Sequence, residues 1–171
     1  TLGVSTESHG SENDEESSIA NDVLNNDPPP EDDCENTSDL IYGVDRDTEV
    51  LYLYDPVANE FDALGQLSCG TWDGVPQSMG ISRDGRAFIR YSSQTVFEVD
   101  LLTLDCHETD YSGNLGSFGM GYATLSAETW QDELFVASDH TLLKLNTNTW
   151  QKNIVGQLPS QAELTGNGEG E

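Results

Sequence analysis

The sequence predicts an all-β repeat fold, and three observations carry that reading. Its apolar runs are short and alternate with polar residues. They recur with a marker residue, Asp55, Asp100 and Asn146, at intervals of 45 and 46 residues. No apolar stripe at helical spacing persists beyond a turn or so.

The first unit contains Leu40-Ile41-Tyr42-Gly43-Val44, then Val50-Leu51-Tyr52-Leu53-Tyr54-Asp55, then Phe61. The second contains Ala87-Phe88-Ile89-Arg90-Tyr91, then Val96-Phe97-Glu98-Val99-Asp100, then Leu104. The third contains Glu133-Leu134-Phe135-Val136-Ala137, then Leu142-Leu143-Lys144-Leu145-Asn146, then Trp150. Tight polar turns at Arg46–Glu49, Ser92–Gln94 and Ser138–His140 join the first two runs of each unit, which is the signature of a hairpin. The Asp or Asn marker then opens a second turn.

A small-residue run precedes the hairpin in two units, Ser78-Met79-Gly80-Ile81 and Gly119-Met120-Gly121-Tyr122, and Leu164-Thr165-Gly166 is a weaker copy. Four short strands in such a period make the unit of a β-propeller blade. Glycine suits the crowded inner position of each blade. The expected fold is therefore a β-propeller portion of about three four-stranded antiparallel blades, with a β-sandwich as the competitor. The blades fall at about 40–67, 77–111 and 117–157, and 162–166 starts a further one. The first unit lacks its inner strand.

The chain has 171 residues, with 6 Lys and Arg against 32 Asp and Glu, a net charge of −26. Such a surface repels a phosphate backbone, so nucleic acid is not an expected partner. No apolar stretch reaches the roughly 18 residues that a spanning helix needs, so no membrane-crossing segment is expected. The first 39 residues carry 12 of the acidic groups, no Lys or Arg and no aromatic residue. Residues 1–33 read as a disordered acidic tether, because so little can be buried there against so much self-repulsion. The blades occupy 34–171. The remainder is still acidic, and a saline or calcium-rich habitat fits it.

Leu53-Tyr54-Asp55-Pro56, Ser78-Met79-Gly80-Ile81-Ser82-Arg83-Asp84-Gly85, Phe118-Gly119-Met120-Gly121 and Ala162-Glu163-Leu164-Thr165-Gly166 carry a resemblance. On them the chain resembles secreted bacterial β-propeller repeat proteins, kelch-like or YVTN-like, often lipoproteins on a low-complexity tether. The glycine pair of true kelch repeats and the Gly-His and Trp-Asp pairs of WD40 repeats do not recur here, so neither subfamily is assigned. The resemblance implies a secreted, periplasmic or cell-surface bacterial protein, with a lipid anchor upstream of Thr1. It also implies further blades outside this sequence, because three are too few to close a ring.

Cys34, Cys69 and Cys106 lack the spacing of a zinc site. Cys69 follows the outermost strand of the first blade and Cys106 starts that of the second. In an oxidising compartment these two are the expected disulfide, with Cys34 left over.

Candidate chemistry is sparse. Asp45, Asp47 and Glu49 are candidate calcium ligands, although no twelve-residue calcium loop is present and an Asp-rich hairpin turn is the simpler reading. No other cofactor is expected. Arg83-Asp84-Gly85-Arg86 reads as a turn with solvated arginines. Trp72 and Trp130, on loops, are the candidate ligand-binding residues, since aromatic rings on loops stack on sugars or clamp peptides. The innermost runs offer Ser78, Ser82, Tyr122 and Thr124, with no carboxylate or His. The sequence therefore predicts a binding module for a protein or glycan ligand rather than an enzyme. The alternatives are a propeller-type enzyme whose catalytic groups lie in the missing blades, and a structural surface spacer.

Overall fold

The structure, a computed structural model, describes residues 40–70, 74–125 and 131–166. The tether at 1–33, Cys34, Trp72 and Trp130 lie outside the described residues.

Eleven strands form three antiparallel sheets, with no helix among the described residues. Sheet 1 holds β1 (Ile41–Val44), β2 (Val50–Asp55) and β3 (Glu60–Gln66) in that order. Sheet 2 holds β4 (Pro76–Ile81), β5 (Arg86–Tyr91), β6 (Val96–Asp100) and β7 (Cys106–Glu108). Sheet 3 holds β8 (Phe118–Thr124), β9 (Asp132–Ser138), β10 (Thr141–Leu145) and β11 (Lys152–Gln157). Each sheet is an up-and-down meander in which sequence neighbours pair, as the hairpin signals predict.

Sheet 2 is the middle layer. Along β5, Ala87 to Tyr91 are all buried, although alternate residues of a strand point to opposite faces. One face carries Ala87, Ile89 and Tyr91, which share a core with Leu51 and Leu67 of the first unit and with Phe97 and Val99. Phe88 and Val96 share a second core with Phe118, Met120, Leu134, Val136, Leu143 and Leu145 of sheet 3. Two cores thus lie on opposite faces of one sheet. Each large side chain so buried contributes roughly 1.5–3 kcal/mol.

The second turn of each unit is one repeated device. The carboxylate of Asp55 accepts from Val57 N at 2.8 Å and Ala58 N at 2.9 Å. Asp100 accepts from Leu102 N and Thr103 N at the same two distances. Asn146 accepts from Asn148 N at 3.0 Å and Thr149 N at 2.9 Å. The residue four positions after each marker then turns left-handed: Asn59, Leu104 and Trp150 have φ of 54°, 61° and 56°. Trp150 thereby swings into the core, edge-on to Tyr111 at 5.5 Å and Phe88 at 6.0 Å.

Cys69 and Cys106 are joined in a disulfide, their Cα atoms 5.1 Å apart. It ties the segment after β3 to the first residue of β7, and so sheet 1 to sheet 2. Disulfides of this kind persist in oxidising compartments.

The two arginines of the β4–β5 turn keep 38% and 39% of their side chains exposed, and both are also paired. Arg86 pairs with Asp84 at 2.7 Å and Glu98 at 3.1 Å. Arg83 donates through Nη2 to Thr124 Oγ1 at 2.8 Å and lies 3.5 Å from Asp132. Lys144 likewise pairs with Glu133, at 2.5 Å.

Candidate functional site

The first strands of sheets 2 and 3 lie side by side, and β1 approaches β4. The chain then returns past β8. Segment 161–166 has no strand ladder but runs against that strand's glycines. A Cβ on Gly119 would collide with the Ala162 carbonyl oxygen, and one on Gly121 would come within 3.0 Å of the Leu164 backbone. This close approach is the reason for small residues there.

Two open clefts follow this inner surface, and both are lined by Tyr42, Met79 and Leu164. The first, of about 640 Å³, adds Tyr122, Arg83, Thr124 and Asp132. The second, of about 600 Å³, adds Arg46, Gln77, Ser78 and Glu163.

The polar groups of the first cleft are locked together. Thr124 is buried and donates to Asp132 Oδ1 at 2.8 Å while accepting from Arg83. Arg83 N donates to Asp132 Oδ2 at 3.1 Å. Beside them the Ser82 hydroxyl is shared between the Asp84 carboxylate and the Arg86 carbonyl, the latter at 2.9 Å. Burial works against the charge of Asp84, but hydrogen bonds from Arg86 and Ser82 outweigh it and leave its pKa below the ordinary carboxylate value. Burial pushes the Tyr122 phenol well above its ordinary range.

In the second cleft Ser78 Oγ accepts from Met120 N at 2.9 Å and donates to Glu163 Oε2 at 3.1 Å. Behind it Arg90 is only 3% exposed. Its guanidinium donates to Gln77 Oε1 and sits 5.2 Å from the centre of the Phe118 ring. Burial lowers its pKa, against the opposing pull of Tyr111 and Glu163. Arg90 Nε has no hydrogen-bond partner among the described residues.

The inner strands β4 and β8 carry no carboxylate, but Asp132 and Glu163 line the clefts beside them. They come from the start of β9 and from the returning segment 161–166. Each carboxylate is held by a hydroxyl.

The three candidate calcium ligands are not brought together. Among the described residues no group of three or more His, Cys, Asp or Glu is placed to hold a metal ion. Asp45 Oδ1 accepts from Thr48 N at 2.7 Å, from the Thr48 hydroxyl at 2.7 Å and from Asp47 N at 3.1 Å. These bonds to Thr48 and Asp47 hold the Asp45 carboxyl below its ordinary pKa. Glu49 has φ 56° and accepts from the Tyr91 hydroxyl at 3.2 Å. Asp45–Glu49 is thus the same five-residue turn as those opened by Asp55, Asp100 and Asn146. The neutral amide of Asn146 performs the same role, so the turn requires an acceptor rather than a charge. His107 on β7 and His140 in the β9–β10 turn are exposed.

Comparison with protein-family models gives no match. Comparison with curated proteins gives none either. A solved structure, described as a structural genomics protein of unknown function from Bacteroides thetaiotaomicron, is similar to this chain at 14% sequence identity and a TM-score of 0.49. The match covers 70% of this chain and 31% of that one, so this chain spans about a third of its length. No helix among the described residues is long and apolar enough to cross a membrane.

Proposed function

We propose that the three sheets are successive blades of a β-propeller and that the domain is an extracytoplasmic binding module. Its ligand, a glycan or a protein segment, lies along the inner surface, and Trp72 and Trp130 are further candidate contacts on sequence grounds alone. The observation that carries this reading is the pair of clefts that share Tyr42, open to solvent and lined by aromatic, apolar and hydrogen-bonding groups. Their carboxylates and hydroxyls already satisfy one another, which suits a preformed recognition surface better than a reacting centre. The Cys69–Cys106 disulfide supports an oxidising compartment.

The test is a panel of immobilised glycans and peptides probed with the full chain. Binding is expected to saturate and to weaken about tenfold, equivalent to about 1.4 kcal/mol, in Tyr42→Ala. Trp72→Ala and Trp130→Ala are expected to weaken it as well. Absence of saturable binding, or affinity indifferent to all three substitutions, rejects the reading and leaves a structural spacer.

A further inference from the structure

The pairing of β4 with β5 skips one residue. Pro76 faces Tyr91 and Ser78 faces Arg90, so Gln77 is the extra residue of a β-bulge in the first strand of sheet 2. Neighbours on a regular strand point to opposite faces. Here exposed Gln77 and buried Ser78 both line the second cleft.

Arg90 fixes which end of the Gln77 amide the cleft receives. A guanidinium only donates, so the end of the amide that it meets is the oxygen. The amino group of Gln77 is the other end, and it has no hydrogen-bond partner among the described residues. Burial against the Phe118 ring holds Arg90 in turn. Glu163 lines the same cleft and, among the described residues, accepts only through Oε2, from the Ser78 hydroxyl. Ser78 itself is fully used, by Glu163 and Met120 N. Gln77 adjoins Ser78 in sequence and Glu163 is bonded to it, so a ligand at Ser78 meets one amide donor and one carboxylate acceptor.

We infer that this pair selects a neutral glycan, whose ring hydroxyls accept from the Gln77 amino group and donate to Glu163 Oε1. The inference rests on the binding reading above and narrows its ligand. A hydroxyl accepts and donates at one oxygen, whereas a peptide carbonyl only accepts and a peptide N–H only donates. A carboxylate-bearing glycan would be repelled by Glu163 and by a chain of net charge −26. Arg46, at the same cleft, does not reverse this, because Asp45, Asp47 and Glu49 share its turn. Arg90 is a positioning residue: it touches Gln77 rather than the ligand.

Immobilised neutral glycans, uronate-containing glycans and peptides, probed with the full chain, test this. Neutral glycans are expected to saturate it. Gln77→Glu keeps an oxygen for Arg90 but replaces the amino donor by a second oxygen. It is expected to melt at or above the parent's temperature and to weaken glycan binding at least tenfold. Gln77→Met removes the donor without adding charge and is expected to weaken binding as much. Affinity unchanged in either variant overturns the inference and leaves the wider binding reading standing. Saturation by peptides or uronate glycans but not by neutral ones does the same. Absence of saturable binding to all three classes overturns both.

Discussion

The Ser78 hydroxyl donates to Glu163 across 85 residues of sequence and accepts from Met120 N, so one side chain fastens three neighbouring inner segments. Ser78→Ala leaves the Met120 N–H buried without its acceptor. The expected loss is about 1–3 kcal/mol, read by urea unfolding. Glu163→Gln keeps an acceptor for the hydroxyl and is expected to cost less than Ser78→Ala. Equal costs would show that the Glu163 charge, rather than its acceptor oxygen, holds the segment.

The repeated turns predict a simple ranking. Asp100→Asn is expected to be near neutral, because Asn146 already serves in the equivalent place. Asp100→Ala removes the acceptor for Leu102 N and Thr103 N and is expected to cost about 1 kcal/mol. A change in melting temperature as large for Asn as for Ala would mean that charge matters in the turn.

The Cys69–Cys106 bond closes a loop with a sequence separation of 37. Its removal by Cys69→Ser with Cys106→Ser is expected to cost about 3–4 kcal/mol, measured by denaturant unfolding. Adding reductant to the unsubstituted chain should reproduce most of that loss. A double variant as stable as the parent would mean that the core between sheets 1 and 2 needs no staple.

Alkaline pH tests the buried phenols. Burial, and then Glu49, raise the Tyr91 pKa far above its ordinary value of 10.0, and burial does the same for Tyr122. A raised folded pKa means stability fully present below the unfolded value and lost as pH climbs toward the folded one. Stability should therefore be insensitive to these groups below pH 10.0 and fall above it, with two tyrosines ionising only on unfolding. Tyrosinate absorbance against pH, read beside circular dichroism, checks this. All six tyrosines ionising before the fold is lost would contradict it.

Strand positions, hairpin turns, the marker residues and the cysteine pair were legible because each is local or periodic. Alternation such as that of Val96 to Asp100 fixes a strand without reference to its neighbours, and Cys69 and Cys106 follow from strand order. The inner surface was legible only in part. Arg83 meets Asp132 across 49 residues, and Ser78 meets Glu163 across more. No spacing in the sequence joins such pairs. Nothing in the run Ala87 to Tyr91 marks Arg90 as buried against Phe118 and Gln77. Leu104 and Trp150 carry no sign of a left-handed backbone, a conformation usually left to Gly or Asn. The turn of Asp45 has the composition of a cation site, and only its geometry shows that Thr48 and Asp47 already occupy the carboxylate.

The stack of three sheets with the middle one buried on both faces underlies every other statement about this chain. Amide hydrogen exchange, resolved by residue, tests it most directly, because protection follows burial and ladder pairing. The account predicts the slowest exchange in β5, with β3 and β11 among the fastest strands. Exchange in β5 as fast as in those outer strands would contradict the stack and point to a different packing of the same strands.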